Sequence, residues 1–207
     1  MMSFTAPLAR RRPAEPGPRA GRLWPAVAAA SALALLAGCM GGPSGNAQVP
    51  EPAKPVEISR YAGLWYEQAR YEARFQEGCE GVTAEYTLRS DGQVNVVNTC
   101  REGAPDGPVK VAEGRAVPAG DGLGAKFKVT FFGPALFENY WVLDRGEAYD
   151  WAIVGEGSGR FLWLLTREAE ISPAAFERLR TRAAELGYDV SMLRRTQQPP
   201  VPDPGQE

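Results

Sequence analysis

Tyr61-Ala62-Gly63-Leu64-Trp65-Tyr66-Glu67 opens the folded part of the chain, directly after a run rich in proline and glycine. Tyr61, Trp65, Tyr66 and then Tyr71 suit a strand, because wide flat side chains fit a pleated surface. Gly63 and Trp65 are two residues apart, so on a strand they share a face. A residue without a side chain beside an indole leaves the indole room to lie flat and plug what lies below. By itself G-x-W is equally an ordinary aromatic strand with an incidental glycine. Only the rest of the chain decides between the two.

Downstream, strand succeeds strand. The first is Leu64 to Tyr71. In Gly81 to Leu88 the alternation is clean, with Val82, Ala84, Tyr86 and Leu88 on one face and Thr83, Glu85 and Thr87 on the other. Ser90-Asp91-Gly92 is a tight-turn signal. Gln93 to Cys100 places Val94, Val96 and Asn98 together. Val109 to Val117 is ambiguous in its facing. Ala125 to Phe132 sets Phe127, Val129 and Phe131 against Lys126, Lys128 and Thr130. Asn139 to Asp144, Tyr149 to Val154 and Arg160 to Thr166 complete eight strands. Such a set closes into a barrel or splits into a sandwich.

The last three strands are apolar on both faces, as in Phe161-Leu162-Trp163-Leu164-Leu165, so something must cover their outside. The cover comes next. Ser172 suits an N-cap and Pro173 the first helical position. Phe176, Leu179, Ala183 and Leu186 fall on one helical face, and Gly187 suits the C-terminal cap. A short ninth strand is expected over Tyr188 to Leu193, and a disordered tail beyond, with the domain ending near Gln198 and residues 199–207 outside it.

Composition narrows the function. The 207 residues, 44% hydrophobic and 23% charged, suit one domain and little more. There is no histidine, which removes His-ligated metal sites, Ser-His-Asp triads and Cys-His dyads, and no G-x-S-x-G elbow is present. No metal site and no cofactor is therefore expected, and an enzyme acting on a lipid or a peroxide would need an unusual mechanism. The first 38 residues hold five of the 23 basic residues and one of the 25 acidic ones. That leaves 18 against 24, a mildly acidic chain and a poor nucleic-acid binder.

Residues 1–38 read as a targeting segment. Arg10, Arg11, Arg12, Arg19 and Arg22 form a positive region, and Leu23 to Ala37 is an apolar stretch too short for a comfortable membrane span. It ends in Leu36-Ala37-Gly38-Cys39, which resembles the bacterial lipobox. The resemblance implies cleavage before Cys39 and lipid attachment to it. Met40, rather than aspartate, is the next residue, which by analogy with enteric bacteria implies sorting to the outer membrane. Residues 39–57, with Pro43, Pro50, Pro52 and Pro55, are expected to be a semi-extended tether reaching up to roughly 50 Å.

Cys79 and Cys100 remain, an even pair in an envelope context. If Arg89 and Gln93 flank the hairpin turn, paired residue numbers sum to 182. Cys79 and Cys100 sum to 179, within one bulge of directly opposite, so a disulfide at the far end of that hairpin is expected.

These blocks in order match a family. Gly63-Leu64-Trp65-Tyr66-Glu67-Gln68-Ala69-Arg70, Val82-Thr83-Ala84-Glu85-Tyr86-Thr87-Leu88, Phe131-Phe132-Gly133-Pro134 and Leu162-Trp163-Leu164-Leu165-Thr166-Arg167 resemble the lipocalins, most of all those of the bacterial outer membrane. Gly63 and Trp65 resemble the first signature of that family, and Arg167 sits where the third lies. At the second, Glu147-Ala148-Tyr149 keeps only the tyrosine. The resemblance runs from about Ile58 to Gln198.

It implies a mainly all-β fold: an eight-stranded antiparallel up-and-down barrel, one C-terminal α-helix packed outside, and a short ninth strand. It further implies a floor closed by Arg167 on Trp65, a mouth stapled by Cys79–Cys100, and room for one small ligand. The lining expected is Val82, Ala84, Tyr86, Val96, Phe127, Val129, Phe131, Tyr140, Trp151 and Trp163. Arg70, Arg74 and Glu77 fall near the mouth, where a head group would lie. The implied ligand is a fatty acid or lysophospholipid, the implied role storage, transport and membrane maintenance, and the implied place the outer membrane, anchored through Cys39 and facing the periplasm. Some members form dimers, which makes a homodimer a further expectation. The alternative is a filled barrel serving as an interaction module.

Overall fold

The alternating segments become nine strands in a computed structural model that describes residues 44–200, apart from 132 and 134–138. They are β1 (Gly63–Tyr71), β2 (Cys79–Leu88), β3 (Val94–Glu102), β4 (Val109–Pro118), β5 (Lys126–Thr130), β6 (Tyr140–Arg145), β7 (Trp151–Gly155), β8 (Leu162–Thr166) and β9 (Leu193–Arg195). A single helical turn, α1 (Ile58–Tyr61), precedes β1, and α2 (Pro173–Glu185) comes after β8. The sheet runs β2-β3-β4-β5-β6-β7-β8-β1-β9, and a second pairing of β1 with β2 closes it into an eight-stranded antiparallel barrel. Residues 1–38, Cys39 and residues 201–207 lie outside the described residues.

Turn chemistry sets the first register. Arg89 N–H donates to the Gln93 carbonyl (2.9 Å), and Thr83–Leu88 pair with Val94–Thr99 at the expected sum. One extra β2 residue between Glu80 and Thr83 then places Cys79 opposite Glu102. Cys100 is its diagonal neighbour, and the two form a disulfide with their Cα atoms 5.3 Å apart.

The seam between β1 and β2 is split. Only Gly63–Tyr66 of β1 pairs with β2, while Ala69–Tyr71 pairs with β9. The C-terminal segment wedges into the gap, with Gly81 N–H donating to the Gln197 carbonyl (2.7 Å) and Gln198 Nε2 to the carbonyls of Glu67 and Val82. The ninth strand thus begins later than the sequence suggested, because Asp189 accepts from Ser191 N–H (3.0 Å) and holds Val190–Met192 in a 3-10 turn. Gln197 and Gln198 belong to the barrel wall rather than to a tail.

Two apolar cores result. The inner one joins Trp65, Tyr86, Val96, Phe127, Val142, Val154 and Leu165 inside the barrel. The outer one packs Leu143, Ile153, Leu162 and Leu164 of β6–β8 against Phe176, Leu179 and Ala183 of α2. The Ser172 hydroxyl accepts from Ala175 N–H (3.2 Å) and Pro173 opens the helix, so α2 starts where its sequence stops favouring anything else.

Trp151 is a correction. The strand was expected to begin at Tyr149, which would put Tyr149, Trp151 and Ile153 on one face. Instead Tyr149 adopts φ 61°, in a turn where its N–H meets the Gly146 carbonyl (3.0 Å). That left-handed residue breaks the alternation. Tyr149 plugs the barrel, Ala152 and Val154 face inward, and Trp151 faces outward beside α2.

The tether is also corrected. Residues 44–57 are not free of the domain. Gly45 N–H donates to the Gly159 carbonyl (3.0 Å), Asn46 Nδ2 to Leu186 O (2.9 Å), and Val56 N–H to Leu123 O (2.8 Å). Lys54 bonds Asp144 (3.0 Å), and the Arg145 guanidinium donates to the Pro55 carbonyl (2.8 Å). The prolines keep the segment extended, but as a strap down the barrel wall.

Candidate functional site

The barrel is closed at the end where β1 starts. Arg167 places its guanidinium 3.8 Å from the Trp65 ring centre. Its nitrogens donate to the carbonyls of Tyr149, Leu64, Arg60, Tyr61 and Ala62 at 2.7–3.2 Å. Trp65 Nε1 donates to the Tyr61 carbonyl (2.8 Å). A planar cation that stacks on an indole and fans donors into five carbonyls is a rigid stopper. Gly63 has φ 95°, which a side chain would strain, so the glycine of G-x-W serves the bend from α1 into β1 rather than making room for the indole. The departed second signature is compensated locally. Tyr149 lies between the guanidiniums of Arg60 (4.3 Å) and Arg145 (4.2 Å), and its hydroxyl accepts from Glu57 N–H (2.9 Å).

Above the floor lies a cavity of about 770 Å³, within the usual range of small-molecule sites. Its walls include Val82, Ala84, Tyr86, Val96, Phe127, Val129, Phe131, Tyr140 and Trp163. Trp151 does not contribute. Other wall residues were not singled out from sequence: Ile58, Tyr61, Val94, Ala116 and Leu165. Val94 and Leu165 were legible from the same alternation that marks Val96 and Trp163. Tyr61 was not, because α1 rather than a strand carries it inward.

The chamber is mostly apolar, although its wall also carries Glu67, Thr83, Asn98 and Thr99, and three tyrosine hydroxyls meet at its base. The Tyr140 hydroxyl meets those of Tyr61 (2.8 Å) and Tyr86 (2.9 Å). Burial raises all three phenols, Tyr86 to about 12 and the others well above their ordinary value, so all stay protonated at neutral pH. Three hydroxyls sharing two hydrogen bonds leave one O–H free to donate.

The other end is open. Cys79 and Cys100 line it, together with Phe75, Gln76, Lys110, Arg160 and Phe161. Arg70 is not available there for a head group. It is fully buried, donating to Glu67 Oε1 (2.9 Å), Thr196 Oγ1 (3.1 Å), Glu72 Oε1 (3.0 Å) and the Gln76 carbonyl (3.0 Å). Burial alone would lower its pKa, but Glu67 and then Glu72 outweigh that and raise it. Gln76 bridges this network to the wall, donating to Glu67 Oε2 (2.5 Å) and accepting from Trp163 Nε1 (3.1 Å). Arg74 and Glu77 are exposed at the mouth.

A closed barrel with its own stopper, an apolar chamber and one open end defines a binding calyx. Residues 56–198 match the family described as a lipocalin-like domain, and the chain belongs to the lipocalin family. It is 37% identical over 185 residues to the outer membrane lipoprotein Blc of Escherichia coli K12, covering 86% of this chain and 98% of that one. It is 34% identical over 159 residues to temperature-induced lipocalin-1 of Arabidopsis thaliana, covering 73% and 84%. Among solved structures, insecticyanin of the tobacco hornworm Manduca sexta superposes with a TM-score of 0.60 at 19% identity, over 76% of this chain and 88% of that one, which bears on the fold alone.

Proposed function

We propose that this chain is a lipid-anchored outer-membrane lipocalin that holds a fatty acid or lysophospholipid in its barrel, for lipid storage, transport and membrane maintenance. The observation that carries the reading is the 770 Å³ chamber, mostly apolar along its walls and open at one end. Identity to proteins named outer membrane lipoprotein, over nearly their whole length, supports the location. Cys39, at the end of a lipobox-like stretch, is the residue that would carry the anchor. An acyl chain suits the walls, and the tyrosine hydroxyls offer a donor to any oxygen that reaches the base.

Native mass spectrometry of the mature domain, produced without the targeting segment and without Cys39 and purified from cells without detergent, tests this. The expected result is a co-purifying lipid of one class, lost in Phe131→Arg or Trp163→Arg while the protein stays folded. No bound mass, with no change in tryptophan emission on titration with fatty acid or lysophospholipid, would reject it.

A further inference from the structure

We infer that the open mouth of the barrel faces and docks on the phospholipid surface that holds the chain's own anchor. The inference rests on the reading that Cys39 is lipidated. It goes beyond that reading because it fixes which end of the barrel meets the membrane.

The first observation is where the strap begins. The Ser44 hydroxyl donates to the Ser158 carbonyl (2.9 Å) and Gly45 N–H to Gly159 O (3.0 Å), both on the β7–β8 loop. That loop also supplies Arg160 and Phe161 to the mouth. Asp189 N–H closes on the Gly45 carbonyl (2.8 Å), and a Cβ at Gly45 would collide with the Tyr71 ring at the mouth end of β1. The strap then descends, reaching the β4–β5 loop at the floor through Val56 and Leu123. Its free end therefore starts at the mouth.

The second observation is length. Four residues separate Cys39 from Ser44, which is the fifth residue after it. At 3.3–3.6 Å per residue the two lie at most about 18 Å apart. The floor is a further nine-residue strand away, roughly 30 Å of β3. An anchor at Cys39 can bring the mouth onto the bilayer but cannot bring the floor there.

The third is the chemistry of the mouth. Phe75 is 71% exposed, and Val109 and Val111 at the mouth end of β4 are 53% and 55% exposed. Phe75 is not isolated. Its ring lies 5.7 Å from Phe161, which stacks 5.8 Å from Trp163 on the cavity wall. An aromatic track thus runs from outside into the chamber. Exposed aromatics held this close to a bilayer insert at its interface, and the free energy scales with the apolar area buried. The consequence is functional: an acyl chain passes between bilayer and barrel along Phe75, Phe161 and Trp163 without crossing water.

The test uses the full chain, purified with its anchor and reconstituted in phosphatidylethanolamine–phosphatidylglycerol vesicles containing doxyl-labelled lipid. A fluorophore is attached at Asp106→Cys, on the β3–β4 loop at the mouth, or at Asn95→Cys, exposed at the floor end of β3. The native pair is oxidised and does not react. Quenching at the mouth label is expected to exceed that at the floor label several-fold, and Phe75→Glu to reduce it at least by half in protein that keeps its disulfide and its far-ultraviolet spectrum. Mass spectrometry of the same samples reads the acylation of Cys39. Equal or reversed quenching on acylated protein, or no effect of Phe75→Glu, would overturn the orientation alone. An unacylated Cys39 would overturn the anchoring reading and the orientation with it.

Discussion

Strands β6 to β8 carry apolar residues on both faces, yet the two faces end in different states. On the outside, Ile153, Leu162 and Leu164 are completely buried because α2 brings Phe176, Leu179 and Ala183 to meet them. On the inside, Val154 and Leu165 belong to an equally apolar surface that still borders 770 Å³ of space. The strands have similar chemistry on both sides, so the difference is geometric. A helix can slide and tilt until its side chains fill the gaps against a sheet. A wall closed on itself at a fixed strand number has a fixed bore, and only its own side chains to fill it. The proposed ligand site lies on the face that no other element of the chain can reach.

That contrast is broken most directly by truncating the filled side. Leu164→Ala should cost about 2–5 kcal/mol, because it opens a hole in close-packed surroundings that relax only partly. Urea unfolding followed by tryptophan emission measures it. A loss well below that range would mean that α2 is loosely docked and that the outer core differs little from the inner one.

The next largest effect concerns the mouth. Removing the disulfide with Cys79→Ala and Cys100→Ala should cost about 3 kcal/mol, since it ties a loop of 21 residues. The floor needs no such staple, because Arg167 already satisfies five carbonyls there. The thermal midpoint of the double variant against the oxidised parent reads the difference, and an unchanged midpoint would mean that the C-terminal wedge between β1 and β2 holds the mouth by itself.

How much of this was legible depended on whether the signal was local. Alternation in Gly81–Leu88 and the turn at Ser90–Gly92 fixed a register that the structure reproduces from Thr83 to Leu88. The helix announced itself through Ser172, Pro173 and one apolar face. What misled was whatever interrupts a period. A single left-handed residue, Tyr149, turned Trp151 from the chamber to the helix side, and nothing in Glu147-Ala148-Tyr149 signals a positive φ. A β1 bulge between Glu67 and Ala69 likewise drew Arg70 into a buried ion network instead of leaving it at the mouth. The strap was missed for a different reason. Prolines and polar residues look the same in a free tether and in an extended segment held by backbone hydrogen bonds, because the partners, Gly159, Leu186 and Leu123, are distant in sequence.

The strap offers a pH-dependent probe of the filled side. Asp144 is buried between Lys54 of the strap (3.0 Å) and Arg182 of α2 (2.6 Å). Burial pushes its pKa up, but Arg182 and Lys54 outweigh that and leave it lowered. A carboxyl whose pKa is lower in the folded state stabilises fully above its unfolded value and loses that contribution as pH falls through the folded one. Both partners are about 40% exposed, so screening discounts the pair to about 1 kcal/mol. Asp144→Asn should lower the urea midpoint accordingly at pH 7. The gap between variant and parent should close as the pH falls through and below the lowered folded-state pKa. A gap that persists at every pH would point to packing rather than charge.

The smallest stability effect is expected where the functional consequence is largest. Val129 borders the chamber, across from Ala116 on β4, and is only partly buried. Val129→Ala deletes two methyl groups, but on one side they face space rather than atoms. Few dispersion contacts are lost, and no new closed cavity forms. The cost should be about 1 kcal/mol or less, several-fold below that of Leu164→Ala. Over the same substitution, a lipid that fills the chamber loses contact area along that wall, so its affinity should fall by more than the stability does. Urea unfolding of lipid-free protein, paired with titration of a fatty acid followed by tryptophan emission, separates the two quantities. If Val129→Ala instead destabilises the empty protein as much as Leu164→Ala does, the wall residues lean on one another across the bore. The inner face is then as filled as the outer, and the chamber is not a binding site.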